Sequence, residues 1–276
     1  MTTGALVSTQ IKFIAVDMDG TLLNSQKALP VDFFEVFALL QQQGVLFAAA
    51  SGRQYHSLLD IFSPIKDQMV FIAENGTYVV YQGNELHSSL IDQQDAYQMI
   101  TAVRQIAGSH LVLCGKHTAY TETTCQAALG EMNNYYHSLV QVDDLLAIDD
   151  EFIKVAVLNF NGAEQHVYPV VYPHFGDSHQ VVVSGEIWLD FMHKDASKGA
   201  AIKKLQTVFD FNYEQSMSFG DFFNDVEMLK ETYHSYAMAN AHPEIKKLAR
   251  FIAPGNDEQG VTQIIRQRVL QASPSR

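Results

Sequence analysis

Asp17 and Asp19 stand one residue apart in Asp17-Met18-Asp19-Gly20-Thr21, directly after the apolar run Phe13-Ile14-Ala15-Val16. That places two carboxylates where a short buried strand ends, the edge at which an open parallel sheet offers its ligand crevice. One carboxylate could attack phosphorus as a nucleophile and the other donate and accept protons. Asp and Gly are also ordinary turn residues after strands, so the pair alone is a weak signal. Three further segments accompany it in order. Ser51-Gly52-Arg53 follows a second apolar run, Lys198 opens a helical pattern in Ser197-Lys198-Gly199, and Gly220-Asp221-Phe222-Phe223-Asn224-Asp225 follows Met217-Ser218-Phe219. Phosphate monoesters need such a set, because enzymes accelerate their hydrolysis by up to about 10²¹-fold.

This ordered set resembles the haloacid dehalogenase (HAD) superfamily, and within it the Cof-type phosphatases, over nearly the whole chain. Glu74-Asn75-Gly76, Met228-Leu229-Lys230, Ala239-Asn240-Ala241 and Asn256-Asp257-Glu258-Gln259-Gly260-Val261 are similar to lesser signatures of that group. SupH-like sugar phosphatases are the nearest resemblance, through stretches such as Phe71-Ile72-Ala73-Glu74-Asn75-Gly76 and Tyr136-His137. Arg53 departs from the Asn that SupH-like proteins can carry, and a guanidinium there could favour a second anionic group on the substrate.

The resemblance implies roles. Asp17 is expected as the nucleophile forming an aspartyl-phosphate, and Asp19 as the general acid and then base. Mg²⁺ is expected on the Asp17 carboxylate, the Asp19 main-chain carbonyl and the Asp221 carboxylate, since a hard cation prefers oxygen ligands. Ser51, Gly52, Lys198 and Asn224 are expected to bind phosphate. Lys198 would screen the repulsion between two anions. Thr21, Arg53 and Asp225 are supporting residues, with Thr21 orienting Asp19 or its turn. Phosphomutase chemistry uses the same motifs and is the second reading. A non-catalytic phosphosugar sensor ranks last, because it would lack one of Asp17, Asp19, Lys198 or Asp221.

The elements that must position these residues alternate. Residues 13–16, 45–50 and 70–73 are expected as strands, with helices over 32–43 and 54–62. The rhythm resumes with a helix at 198–209, a strand at 216–219, a helix at 225–231 and a strand at 236–238. A helix opened by Pro243, a strand at 251–253 and a closing amphipathic helix at 261–270 follow. Alternation of this kind implies an α/β fold with a parallel sheet covered by helices. The region from residue 84 to 191 has another texture. It mixes strand patterns (111–114, 153–160, 180–183, 187–191) with helical ones (95–107, 124–137, 164–171) and carries no acidic motif. By resemblance it is an inserted α/β cap of the C2 type, where substrate specificity resides, and residues 11–83 and 192–276 form the Rossmann-like core. Residues 1–10 are expected as a disordered lead-in.

The chain has 276 residues and a formal charge of −13, which argues against nucleic acid or an anionic membrane as partner. No apolar run approaches the roughly 20 residues that span a bilayer, and the N-terminal stretch is not a secretory signal. The expected partner is a small phosphorylated metabolite, the expected home the cytosol and the default state a monomer. Cys114 and Cys125 read as reduced, buried thiols. Eleven scattered histidines carry no metal spacing. Glu74-Asn75-Gly76 reads equally as a turn or a substrate-facing loop. Trp188 is expected to pack the cap or its junction with the core, and Tyr135-Tyr136-His137 to lie on a cap helix.

Overall fold

The computed structural model describes residues 10–271, so all but Gln10 of the expected lead-in lies outside the described residues. Its strands are β1 (Phe13–Asp17), β2 (Leu46–Ala50), β3 (Val70–Ala73), β4 (Tyr78–Tyr81) and β5 (Asn84–Ser88). There follow β6 (Ser109–Gly115), β7 (Ala119–Thr121), β8 (Leu139–Gln141), β9 (Phe152–Asn159), β10 (His179–Gly185) and β11 (Trp188–His193). The last are β12 (Ser216–Gly220), β13 (His234–Met238) and β14 (Phe251–Ala253). The chain forms two compact units.

The first unit holds the described chain up to Ala48, Lys203–Asp221 and everything described from Leu229 onward. Its strands run in the order β14-β13-β12-β1-β2. β1 pairs parallel with β12, β12 with β13, and β13 with β14. Every residue of β1 and β12 is buried, which is why both read as unbroken runs of apolar and small residues. The helix Phe33–Gln42 buries Phe33, Val36, Phe37 and Leu40, the stripe its spacing predicts. Phe33 and Phe37 meet Phe47 of β2 edge-on, with ring centroids 5.5 and 6.0 Å away. The closing helix is α-helical over Gly260–Ile265 and winds into a π-turn over Arg266–Leu270.

The second unit holds Ala49–Ile202 and Phe222–Met228. β3, β4 and β5 pair antiparallel in succession, so the sheet strands of this fold are not all parallel as the alternation implied. A six-stranded sheet in the order β10-β11-β9-β6-β7-β8 lies between Ser109 and His193, antiparallel except for β7 with β8. Its side chains alternate by face. Leu111, Leu113, Val155, Val157, Leu189 and Phe191 pack with the helix Gln93–Val103 and with Val167, Val171 and Phe175. Val112, Cys114, Ala156, Leu158 and Trp188 face Ala128, Met132 and Tyr136 on the other side.

Residues 49–83, expected with the core, fall in this second unit. Buried polar contacts from the turn after β3 to β9 and β11, given below, tie them there. Several local expectations need correction. The helix expected over 124–137 runs only from Gln126 to Met132, and Tyr135-Tyr136-His137 lie in the turn beyond it. Asn133 and Asn134, poor helix formers, follow at once. The pattern at 164–171 splits into Ala163–His166 and Tyr168–Phe175, where Pro169 withholds a backbone donor. Cys114 is buried but Cys125 is exposed, because it precedes the first turn of its helix rather than facing the sheet.

Candidate active site

The first unit brings Asp17, Asp19, Thr21 and Asp221 to the ends of two neighbouring strands. Asp17 closes β1 and is nearly buried, while Asp221 follows Gly220, the last residue of β12. The parallel pairing of β1 with β12 places these ends side by side. Asp17 and Asp221 accordingly offer carboxylate oxygens within 4.8 Å of each other. Two carboxylates that close repel each other unless a cation or proton lies between them. Oxygen-only donors are what a hard divalent cation takes.

After Asp17 the chain turns tightly. The Leu22 N–H donates to the Asp17 carbonyl at 3.1 Å and the Leu23 N–H to the Met18 carbonyl at 2.8 Å. Gly20 sits at φ +79°, and a Cβ there would fall 2.2 Å from Asp221 Oδ2, so only glycine lets the turn approach that carboxylate. The Thr21 hydroxyl donates to Asp221 Oδ1 at 3.3 Å, so it orients Asp221 where Asp19 or the turn was expected. The Asp19 carboxylate pairs with Lys27 Nζ at 2.7 Å. Lys27, at φ +60° in the turn after the motif, carried no signal in the sequence reading. The Asn240 amide, from a lesser signature, donates to the Gly20 carbonyl at 2.7 Å and supports the same turn.

The second unit holds the cationic and phosphate-binding candidates. Ser51, Arg53, Lys198, Asn224 and Asp225 are all buried. Ser51 leaves β2 and its N–H donates to the Ile72 carbonyl of β3 at 2.9 Å. Ser51 Oγ accepts the Arg53 N–H at 3.1 Å and keeps its own proton to donate. Lys198 opens the helix Lys198–Phe209, and its Nζ donates to Asp225 Oδ1 at 2.7 Å, neither side chain having any exposure. Asp225 Oδ2 also accepts the Phe222 N–H at 3.3 Å, closing the turn that carries Asn224. Arg53 has partners of its own. Its Nη1 donates to the Asn134 carbonyl at 2.5 Å and its guanidinium lies 4.8 Å from the Tyr135 ring centroid. Tyr135 in turn meets Trp188 at 5.4 Å between centroids.

Glu74-Asn75-Gly76 is a turn with three consecutive positive φ values, +50°, +56° and +94°. Gly76 is required there, because a Cβ would lie 2.3 Å from the Ser197 carbonyl oxygen. For Glu74 that conformation is costly and must be held from outside. Lys154, on β9, holds it through an ion pair in which both side chains are 1% exposed. Burial pushes the Glu74 carboxyl up, with Lys154 acting against it. Burial likewise opposes the Lys154 charge, but Asp190 and Glu74 outweigh it and raise its pKa. Asn75 bridges onward, donating to Asp190 Oδ2 and accepting from the Asn224 amide at 2.9 Å. Lys154 and Asp190 were missed from the sequence. Their signal was present, since a charged residue inside Phe152-Ile153-Lys154-Val155 or Trp188-Leu189-Asp190-Phe191 must be paired if it is buried.

Residues 14–265 match the model of the haloacid dehalogenase-like hydrolases, and the chain belongs to that family. It is a phosphatase of the family's Cof type. The 5-amino-6-(5-phospho-D-ribitylamino)uracil phosphatase YbjI of Escherichia coli K12 is 29% identical over 266 residues, covering 96% of this chain and 98% of its own. The crystal structure of SMU.1108c from Streptococcus mutans UA159 superposes with a TM-score of 0.89 at 27% identity, over 96% of this chain and 100% of that one. The HAD subclass IIB sugar phosphatase BT4131 shares the fold, with a TM-score of 0.80 at 21% identity over 93% of this chain and 98% of its own. No helix among the described residues is long and apolar enough to cross a membrane.

Proposed function

We propose that this phosphatase hydrolyses small phosphorylated metabolites, sugar phosphates foremost, with Mg²⁺ and through an aspartyl-phosphate on Asp17. The observation that carries the reading is the pair of carboxylates, Asp17 and Asp221, offering oxygens within 4.8 Å of each other beside a glycine turn that admits no side chain. Their donor set fits Mg²⁺, which Asp17, Asp221 and the Asp19 carbonyl would hold. The ion would supply charge neutralisation for the phosphoryl oxygens.

In this reading the Asp17 carboxylate attacks phosphorus and the bond to the leaving oxygen breaks. Asp19 gives that oxygen its proton, then takes a proton from the water that attacks the acyl phosphate and frees Asp17. Ser51, the Gly52 N–H, Asn224 and Lys198 bind the phosphoryl oxygens. Asp225 fixes the Lys198 ammonium and so aims its charge. Asp19 must exchange Lys27 for the leaving group, and the exposed, flexible lysine can move aside.

Residues 84–191 are read as the cap that selects the leaving group and residues 11–83 and 192–276 as the core, a division by motif that differs from the compact units above. YbjI names a polyol phosphate carrying an aminouracil, and that compound belongs beside the hexose phosphates as a candidate substrate. The protein works in the cytosol as a monomer. The test is phosphate release from a panel of sugar phosphates, 5-amino-6-(5-phospho-D-ribitylamino)uracil, pyridoxal phosphate and flavin mononucleotide, with Mg²⁺ and with EDTA. Release that needs Mg²⁺ and vanishes in Asp17→Asn is expected. An active Asp17→Asn enzyme overturns the mechanism. Phosphate returned to a second substrate position instead of to water would assign a phosphomutase.

A further inference from the structure

One buried ammonium touches the loop that carries Ser51 and Gly52. Lys154 Nζ donates to the Gly52 carbonyl at 2.8 Å, pairs with Glu74 and lies 3.6 Å from Asp190 Oδ1. The Gly52–Arg53 peptide is therefore pinned at both polar atoms, its oxygen by Lys154 and its N–H by Ser51 Oγ. The backbone beside it is laced to the strained turn, with the Asn75 N–H on the Ser51 carbonyl at 2.8 Å and the Glu74 N–H on the Arg53 carbonyl at 3.1 Å. From Asp190 the chain of bonds continues through the Asn75 amide to Asn224. Its members, Gly52, Lys154, Asp190, Asn75 and Asn224, start and finish at residues assigned to phosphate.

We propose that Lys154 is a positioning residue for phosphate binding, fixing the Ser51-Gly52 loop directly and Asn224 through Asp190 and Asn75. This rests on the phosphate-binding roles given to Ser51, Gly52 and Asn224 above. Of the acceptors this buried ammonium takes, the Gly52 carbonyl is the one that lies on the loop of Ser51 and Gly52. Loss of that contact frees the Gly52–Arg53 peptide to turn, and the donors on either side lose their common aim. A displacement of about 1 Å in such donors can cost on the order of 100-fold.

The experiment compares the intact protein with Lys154→Met, Lys154→Arg and the charge-reduced Glu74→Gln/Lys154→Met. The double variant is included because Lys154→Met leaves buried carboxylates unpaired, which works against folding. Readouts are KM and kcat on two substrates with different leaving groups, the dissociation constant of tungstate as an inert tetrahedral oxyanion, and the urea midpoint. Expected are a KM and a tungstate constant raised together by about 10- to 100-fold, equally for both substrates, with partial recovery in Lys154→Arg. A merely structural role would lower kcat through the folded fraction and leave the tungstate constant unmoved. A folded double variant with KM and tungstate affinity within about twofold of the parent overturns the proposal. If the parent binds tungstate but hydrolyses nothing, the phosphatase mechanism fails while loss of tungstate binding in the variants still upholds Lys154. If the parent binds no tungstate, both fail.

Discussion

Lys198 Nζ and Asp225 Oδ1 lie 2.7 Å apart with neither side chain exposed to solvent. Removing one partner of a buried ion pair strands the other charge, at about 3–5 kcal/mol, whereas replacing both with apolar groups is often nearly neutral. Lys198→Met is therefore expected to lower stability by about 3 kcal/mol and abolish turnover. Lys198→Met/Asp225→Leu should regain much of the stability and none of the activity. Urea melts and phosphate release on the same preparations separate the two. A double variant that stays as unstable as Lys198→Met would show that the pair is not what holds this turn.

Gly20→Ala tests the approach of the nucleophile turn to Asp221. The added Cβ would sit 2.2 Å from Asp221 Oδ2 and 2.9 Å from its Cγ, on backbone at φ +79°. The carboxylate must swing away or the turn must open. Either change removes an oxygen from the proposed cation site, so half-saturation by Mg²⁺ should rise by about tenfold or more, roughly the 1.4 kcal/mol of one lost good contact. Titrating phosphate release against Mg²⁺ reads this. An unchanged half-saturation point would place the cation elsewhere.

The sequence motifs were legible because they sit where apolar runs end. Asp17 closes a fully buried strand, and Ser51 and Asp221 directly follow strands that are wholly or almost wholly buried. Lys198 was found by order and resemblance, since a lone lysine at a helix start says nothing of burial. What escaped was set by pairing across the chain. Lys154 and Asp190 lie 36 positions apart and Glu74 lies 80 before Lys154, so each looked like an isolated charge. The strands β4, β5, β7 and β8 escaped for a different reason. They are three to five residues long, and β5, β7 and β8 owe their form to pairing rather than to a hydrophobic pattern, whereas β4 is the short apolar run Tyr78-Val79-Val80-Tyr81.

Arg53 was expected as a supporting residue whose guanidinium could favour a second anionic group on the substrate; it is buried, bonded to the Asn134 carbonyl and stacked on Tyr135. A guanidinium so engaged ties the loop after β2 to the 134–135 turn. Arg53→Asn is accordingly expected to raise KM by a similar factor for monophosphate and bisphosphate substrates, measured side by side. A loss confined to the bisphosphates would restore the anion-reading role.

Away from the site, Arg104 donates to both Glu122 oxygens and to Asp144, at 2.8, 2.5 and 2.6 Å. The Arg104 hydrogen bond, acting against burial, holds the Glu122 carboxyl below its usual range. A separate Arg104 hydrogen bond, with one from the Leu146 N–H, holds Asp144 down. A carboxyl whose folded pKa is depressed contributes stability above its unfolded value of about 4, and that contribution fades as pH falls through the folded value. Arg104→Gln should therefore lower the urea midpoint at pH 7, and the gap to the parent should shrink steadily below about pH 4. Because the pairs are partly exposed, the gap at neutral pH should also narrow in high salt. A gap that stays constant from neutral to acid pH would mean that Arg104 acts here through packing of its stem and not through its charge.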